Sequence, residues 1–263
     1  MLGKLLKYDT KSMFRIFVPL WLALLAVSVV NHFTLRSSLD ISAFGSISRI
    51  VSMILYVCLV MAVLVVTIAL IILRFYNGLL KNEGYLMFTL PVRPWQLITS
   101  KCILATVVSL LSLIFGILSA VLIGAELGEV ADFFKAIWEA RGYITGNMVL
   151  FVILCIVLVI SAVLAEITHI YACLALGHLA NRHRIALAVL AYIVINTVLS
   201  MALTVFMNCY YRFHWNFMSV VAADQTLGAT NVLLAAVIGV FLLQVVIFFI
   251  ITERILSKRL NLE

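Results

Sequence analysis

Apolar residues fill six long windows of the chain, at about 16–35, 50–73, 102–124, 147–169, 185–207 and 231–251. Windows of roughly 20 apolar residues are long enough for a helix to cross a bilayer core of about 30 Å. None alternates with period two, so helices rather than barrel strands satisfy the backbone in lipid. No internal repeat divides the sequence into halves. The pattern predicts an all-α, polytopic membrane protein with six transmembrane helices, forming a single transmembrane domain over residues 1–263.

Three of the segments between or before these windows have an amphipathic or aromatic pattern of their own. At the N-terminus Lys4, Lys7, Lys11 and Arg15 recur at three- and four-residue steps beside Leu2, Leu5, Leu6, Met13, Phe14 and Phe17. This spacing predicts a basic interfacial elbow helix over 1–15 leading into the first span. In the 125–146 segment, "EVADFFKAIWEA" places Val130, Phe133, Phe134, Ile137 and Trp138 on one stripe and Glu129, Asp132, Lys135 and Glu139 opposite. A surface helix shielding the bundle is expected there, with a substrate-binding helix as the alternative. In the 208–230 segment, "CYYRFHWNFM" is an aromatic cluster expected as an interfacial belt, a short re-entrant hairpin or an exit gate.

Composition excludes a soluble domain. The chain is 65% apolar and 11% charged, with a mean hydropathy of +1.23, where soluble domains are about half apolar and a quarter charged. The basic start is followed by an apolar run too long for a cleavable signal, so it is expected to remain attached. Cys58, Cys102, Cys155, Cys173 and Cys209 contain no C-x-x-C pair, and neither a disulfide nor a metal is expected.

The net charge of +7 is unevenly shared. One set of loops holds Lys4, Lys7, Lys11, Arg15, Arg74, Lys81, Arg93, Lys101, Arg182, Arg184, Arg254, Lys258 and Arg259. The other holds Arg36, Arg49, Lys135, Arg141 and Arg212, together with more acidic residues. Lys and Arg concentrate on the cytoplasmic side of membrane proteins, so both termini are expected in the cytoplasm. The charge is a signature of topology, and no nucleic-acid partner is expected.

The loop over 74–101 carries the most specific stretch, "NEGYLMFTLPVRPWQLITSK". It is too long for a minimal helix–helix connection. Pro91 lacks an amide hydrogen and disfavours helix in the residue before it, so a short helix over 82–90 should end there. Pro94 fits the first turn of the next helix, and Trp95 and Lys101 suit its entry into the membrane. From pattern alone this helix either rests among lipid headgroups or offers its surface to a cytoplasmic partner.

This stretch resembles the cytoplasmic-loop signature of the ABC type-2 permease family, the membrane subunits of ATP-binding-cassette exporters. The matching positions are Glu83, Gly84, Leu86, Thr89, Pro91, Leu97, Ser100 and Lys101, and elsewhere the likeness is one of layout. The resemblance implies a coupling helix between spans two and three that docks in a groove of a cytoplasmic ABC ATPase. On that basis Tyr85, Met87 and Phe88 are apolar anchors and Glu83 is an electrostatic partner. The expected ATPase interface is Glu83, Gly84, Tyr85, Leu86, Met87, Phe88, Thr89 and Pro91. The sequence has no G-x-x-x-x-G-K-[ST]. The chain is therefore expected to bind no cofactor of its own, with ATP and Mg held by the partner ATPase. The resemblance further implies a bacterial cell membrane, a homo- or heterodimer of permease chains, and export of an amphiphilic cargo such as a peptide, antibiotic or lipid-like molecule.

Other polar residues admit alternatives. Glu166 and His169 form a Glu-x-x-His pair near the expected inner end of span four. Di-metal carboxylate proteins use this spacing, but they need a second such pair. A charged pair at the membrane boundary, meeting Arg182 or Arg184, is expected instead. Asn196 and Gln244, in the middle of spans five and six, either hydrogen-bond between helices or line a substrate path. Ser112, Gly116, Ala120 and Gly124 form a small-residue stripe that permits close helix approach. Against the transport subunit stand a non-transporting scaffold or sensor that recruits an ATPase, and an intramembrane metalloenzyme centred on Glu166 and His169.

Overall fold

The computed structural model describes residues 2–36, 43–80, 94–124, 127–141, 145–179, 183–218 and 223–258. Helices α1 (Leu2–Arg36), α2 (Ala43–Phe75), α3 (Pro94–Gly124), α4 (Leu127–Ala140), α5 (Gly146–Gly177), α6 (Arg184–Met218) and α7 (Ala223–Lys258) follow in chain order. One π-helical turn, Tyr76–Leu80, prolongs α2. No strand occurs among the described residues. All of these helices except α4 are long and apolar enough to cross a membrane, which gives six.

Each expected window lies inside one of these helices, but the helices run further. Main-chain hydrogen bonding continues past the apolar stretch because nothing breaks it, and the extra turns find packing partners. Thus α1 is one 35-residue helix with Pro19 inside it, and residues 2–15 form its first turns rather than a separate elbow. No proline or glycine stands between Lys4 and Val18 to interrupt it. Likewise "CYYRFHWNFM" is not a re-entrant hairpin: it continues α6 as helix to Met218. The Tyr210 hydroxyl donates to the Ala229 carbonyl across the α6–α7 connection, at 3.0 Å.

The chain forms two compact units, Met1–Leu73 with Ile103–Tyr143, and Arg74–Cys102 with Ile144–Glu263. In the first, Met13, Phe17, Trp21, Leu104 and Val108 make a buried core. Lipid tails are as apolar as these side chains, so close packing and polar contacts hold the helices together. Trp21 stacks on Phe115 with centroids 4.8 Å apart and meets Phe14 edge-on at 5.8 Å. Its indole N–H donates to the Ser112 hydroxyl at 3.1 Å. Further along, Tyr56 and Ser119 hydroxyls are 3.1 Å apart, and the Asn31 amide donates to the Ser52 carbonyl at 3.0 Å. Nδ1 of His32 donates to the Leu122 carbonyl at 2.8 Å. Polar contacts therefore link α1, α2 and α3 at successive depths.

The small-residue stripe of α3 does not act as expected. Ser112 is buried, yet a side chain added at Gly116 or Gly124 would meet nothing within 4 Å. The covered face of α3 is instead Leu104, Ala105, Val108, Ser112 and Ser119. In α4, Glu129, Asp132, Lys135 and Glu139 are exposed, as the amphipathic pattern requires. Trp138, expected on the apolar stripe, is 72% exposed and carries the Arg141 guanidinium 5.3 Å from its ring centroid.

In the second unit α5 packs against both α6 and α7. Gly177 ends α5 where α6 begins, and the reason for glycine is space. A Cβ there would lie 2.5 Å from the Ala188 Cβ and 2.6 Å from the Arg184 carbonyl oxygen. His183, just before α6, adopts φ 59°, a left-handed conformation in which histidine is among the more tolerated side chains. Its carbonyl accepts the Leu187 amide at 3.1 Å, closing the first turn of α6.

Candidate functional site

The expected ATPase-docking residues, Glu83 to Thr89 and Pro91, lie outside the described residues, as does the helix expected over 82–90. Both roots of that segment are described. The first is the end of α2 and its π turn, where Phe75 and Leu79 are fully buried. A π turn widens the helix by one residue per turn and is often kept at functional positions. The second is the start of α3, which begins at Pro94 as its ring geometry favours, with Leu97, Ile98 and Ser100 buried.

The two roots meet. The position of a Cβ at Gly78 is 3.6 Å from the Cε and Nζ atoms of Lys101. Lys101, expected at the membrane interface, is only 7% exposed, because its stem lies over this glycine. Trp95, at the start of α3, stays partly exposed.

Tyr171 of α5 touches both roots. Its ring stacks on Phe75 with centroids 3.9 Å apart and planes 13° from parallel. Its hydroxyl donates a long hydrogen bond, 3.4 Å, to the Lys101 carbonyl. About two turns further on, just past the end of α5, His178 faces Tyr76 with ring centroids 6.3 Å apart. None of these contacts was legible in the sequence. Tyr171 lies in an apolar helix with no motif around it, and its partners come from two other helices.

Glu166 and His169 share a face of α5, but not at its end. The helix continues to Gly177, so the pair lies about three turns inside it. Glu166 Oε1 accepts a 2.7 Å hydrogen bond from the Tyr192 hydroxyl of α6, and Oε2 is 3.9 Å from His169 Nδ1. Arg184 is not a partner of Glu166, and Arg182 lies outside the described residues. The antiparallel register explains this: Gly177 abuts Ala188, so Arg184 stands at the turn, roughly 16 Å along the axis from Glu166.

His169 is fully buried between two rings, Tyr192 at 4.9 Å and Phe248 of α7 at 5.0 Å, both nearly parallel to it. Neither ring nitrogen has a hydrogen-bond partner among the described residues. The imidazole thus serves as a flat packing element between three helices. Among the described residues no group of three or more His, Cys, Asp or Glu side chains is placed to hold a metal ion.

The candidate path residues stand apart in character. Asn196 is exposed on α6 and Gln244 is half-buried on α7, and neither makes a side-chain hydrogen bond among the described residues. Asn196 belongs to a longer polar face. At about 100° per residue, Asn196, Thr197, Ser200, Thr204 and Asn208 fall within an arc of about 120°, and all five are exposed. Four of them donate back to carbonyls of their own helix. Thr197 and Thr204 do so at 2.7 Å, Ser200 and Asn208 at 2.9 Å. The amide of Asn196 has no such partner.

No family model, no curated protein and no solved structure matches the chain.

Proposed function

We propose that the chain is the membrane-spanning permease subunit of an ATP-binding-cassette transporter. In this reading a separate ATPase docks on the segment around Glu83–Pro91, and the cargo exported is amphiphilic. The observation that carries the reading is the Glu83–Lys101 signature, set between two helices long and apolar enough to cross a membrane. These 263 residues contain no G-x-x-x-x-G-K-[ST], and in this reading the work enters from the docked ATPase.

The α6 face of Asn196, Thr197, Ser200, Thr204 and Asn208 supports the same reading. An unpartnered amide in hydrocarbon is costly, and such side chains normally face protein or a water-filled path. Exposed on this chain, Asn196 suits a path completed by a second permease copy or a related chain. Nucleotide-driven closure of the ATPases would then move the docking segments and switch the bundle between inward- and outward-facing states.

The test is affinity purification of the full chain in mild detergent, with identification of co-eluting chains. An ATPase subunit should co-purify with the wild type. Glu83→Lys and Phe88→Asp should lose it while still inserting in the membrane. Unchanged ATPase recovery with both variants overturns the proposed docking role.

A further inference from the structure

We propose that Tyr171 is a positioning residue that fastens the end of α2 and the start of α3 to α5, making α5 the lever that carries displacement of either into α6 and α7. The fastening stands on geometry alone; its role in energy coupling rests on the permease reading.

The Tyr171 ring lies flat on Phe75 from the first root, while its hydroxyl reaches the Lys101 carbonyl of the second. Tyr171 and Phe75 are both buried, so neither ring can slide without opening a void. Gly78 lets the Lys101 stem close the base of the segment. Residues Arg74–Cys102 accordingly belong to the same compact unit as the last three spans.

Residues two apart on a helix point about 200° from each other, so His169 faces away from Tyr171. There its ring is held between Tyr192 of α6 and Phe248 of α7, and Glu166 is tied to Tyr192. A push on either root therefore meets α5 at Tyr171 and leaves it at His169. Packed aromatic faces transmit displacement because they cannot be compressed.

The experiment uses the full chain in lipid nanodiscs. Cys58, Cys155 and Cys209 are replaced by Ser, and the buried Cys102 and Cys173 are kept. Spin labels at Trp95→Cys and Leu179→Cys, both partly exposed, report the distance between the second root and the end of α5. A narrow distribution is expected, broadened by Tyr171→Leu and to a smaller degree by Tyr171→Phe, which keeps the ring. Phe75→Leu provides an independent break of the stack should Tyr171→Leu fail to fold. Unchanged widths in the folded variants overturn the fastening.

A second label pair, Val157→Cys on α5 and Val198→Cys on α6, is read in the complex with the co-purified ATPase. ATP should shift this distance in the wild type. The shift should be lost in Tyr171→Phe or Phe75→Leu even though the ATPase still co-purifies, and a full shift in both variants overturns the lever. If no ATPase co-purifies with the wild type, the permease reading fails, while the first label pair still decides the fastening.

Discussion

Phe75 and Tyr171 lie ring on ring, 3.9 Å between centroids and 13° from parallel, joining the end of the second span to the last two turns of the fourth. They are far apart in sequence and belong to no shared motif. Replacing Phe75 by Ala should cost about 3–5 kcal/mol, the usual range for deleting a fully buried aromatic ring. Tyr171→Phe, which loses only a long hydrogen bond, should cost about 0.5–1.5 kcal/mol. Thermal unfolding of the detergent-solubilised protein would rank the two, and the reverse order would show that the stack is not the main contact.

At Gly177 the expectation is steric. Gly177→Ala places a Cβ 2.5 Å from that of Ala188, so the helix ends must part at a cost of about 1–3 kcal/mol. Adding Ala188→Gly should restore only part of this, since the Arg184 carbonyl oxygen is also within 2.6 Å. Melting temperatures of the two single variants and the double variant check the claim. Full rescue would locate the clash at the side chain alone.

His169→Phe should be neutral or stabilising. Both ring nitrogens are buried without a hydrogen bond among the described residues, Nδ1 standing 3.9 Å from Glu166 Oε2, and an unpaired buried polar group costs about 1–3 kcal/mol. A benzene ring fills the same slot between Tyr192 and Phe248 with nothing left unpaired. His169→Ala, which empties the slot, should destabilise by more than the Phe variant. Loss of folded yield in His169→Phe would mean that the imidazole nitrogens matter for more than packing.

The Trp21–Ser112 hydrogen bond invites a double-variant cycle. Trp21→Phe, Ser112→Ala and their combination should reveal a coupling of about 0.6 kcal/mol, the average for hydrogen bonds between membrane helices, and no more than about 1.7. Additive effects would show that the Trp21 bond contributes nothing, leaving Ser112 its small size and the 3.4 Å hydrogen bond it accepts from Thr67.

For Asn196 the outcome should separate folding from function. Asn196→Leu, on an exposed face, should leave the stability within about 0.5 kcal/mol of the wild type, with little change in melting temperature. It should nevertheless alter the cargo range or rate of vesicles carrying the ATPase complex. A large loss of stability would mean that the amide is a structural contact.

The amino-acid order by itself determined the class of fold. Six stretches with almost no charge leave the backbone no way to satisfy its hydrogen bonds except as helices, wherever neighbouring chain happens to lie. Pro94 marked the start of α3 for an equally local reason, since a missing N–H is harmless there. Only the tertiary structure decided which polar residues pair and which surfaces close. Glu166 pairs with Tyr192 because Gly177 against Ala188 sets the register of two antiparallel helices. Trp21 chose Ser112, and the neighbouring small residues of α3 were left uncovered. Tyr171 acquired its place from two roots that approach only in the folded chain. In a helix apolar on every side, no periodicity marks the inward face, so the face that packs is chosen by shape between helices.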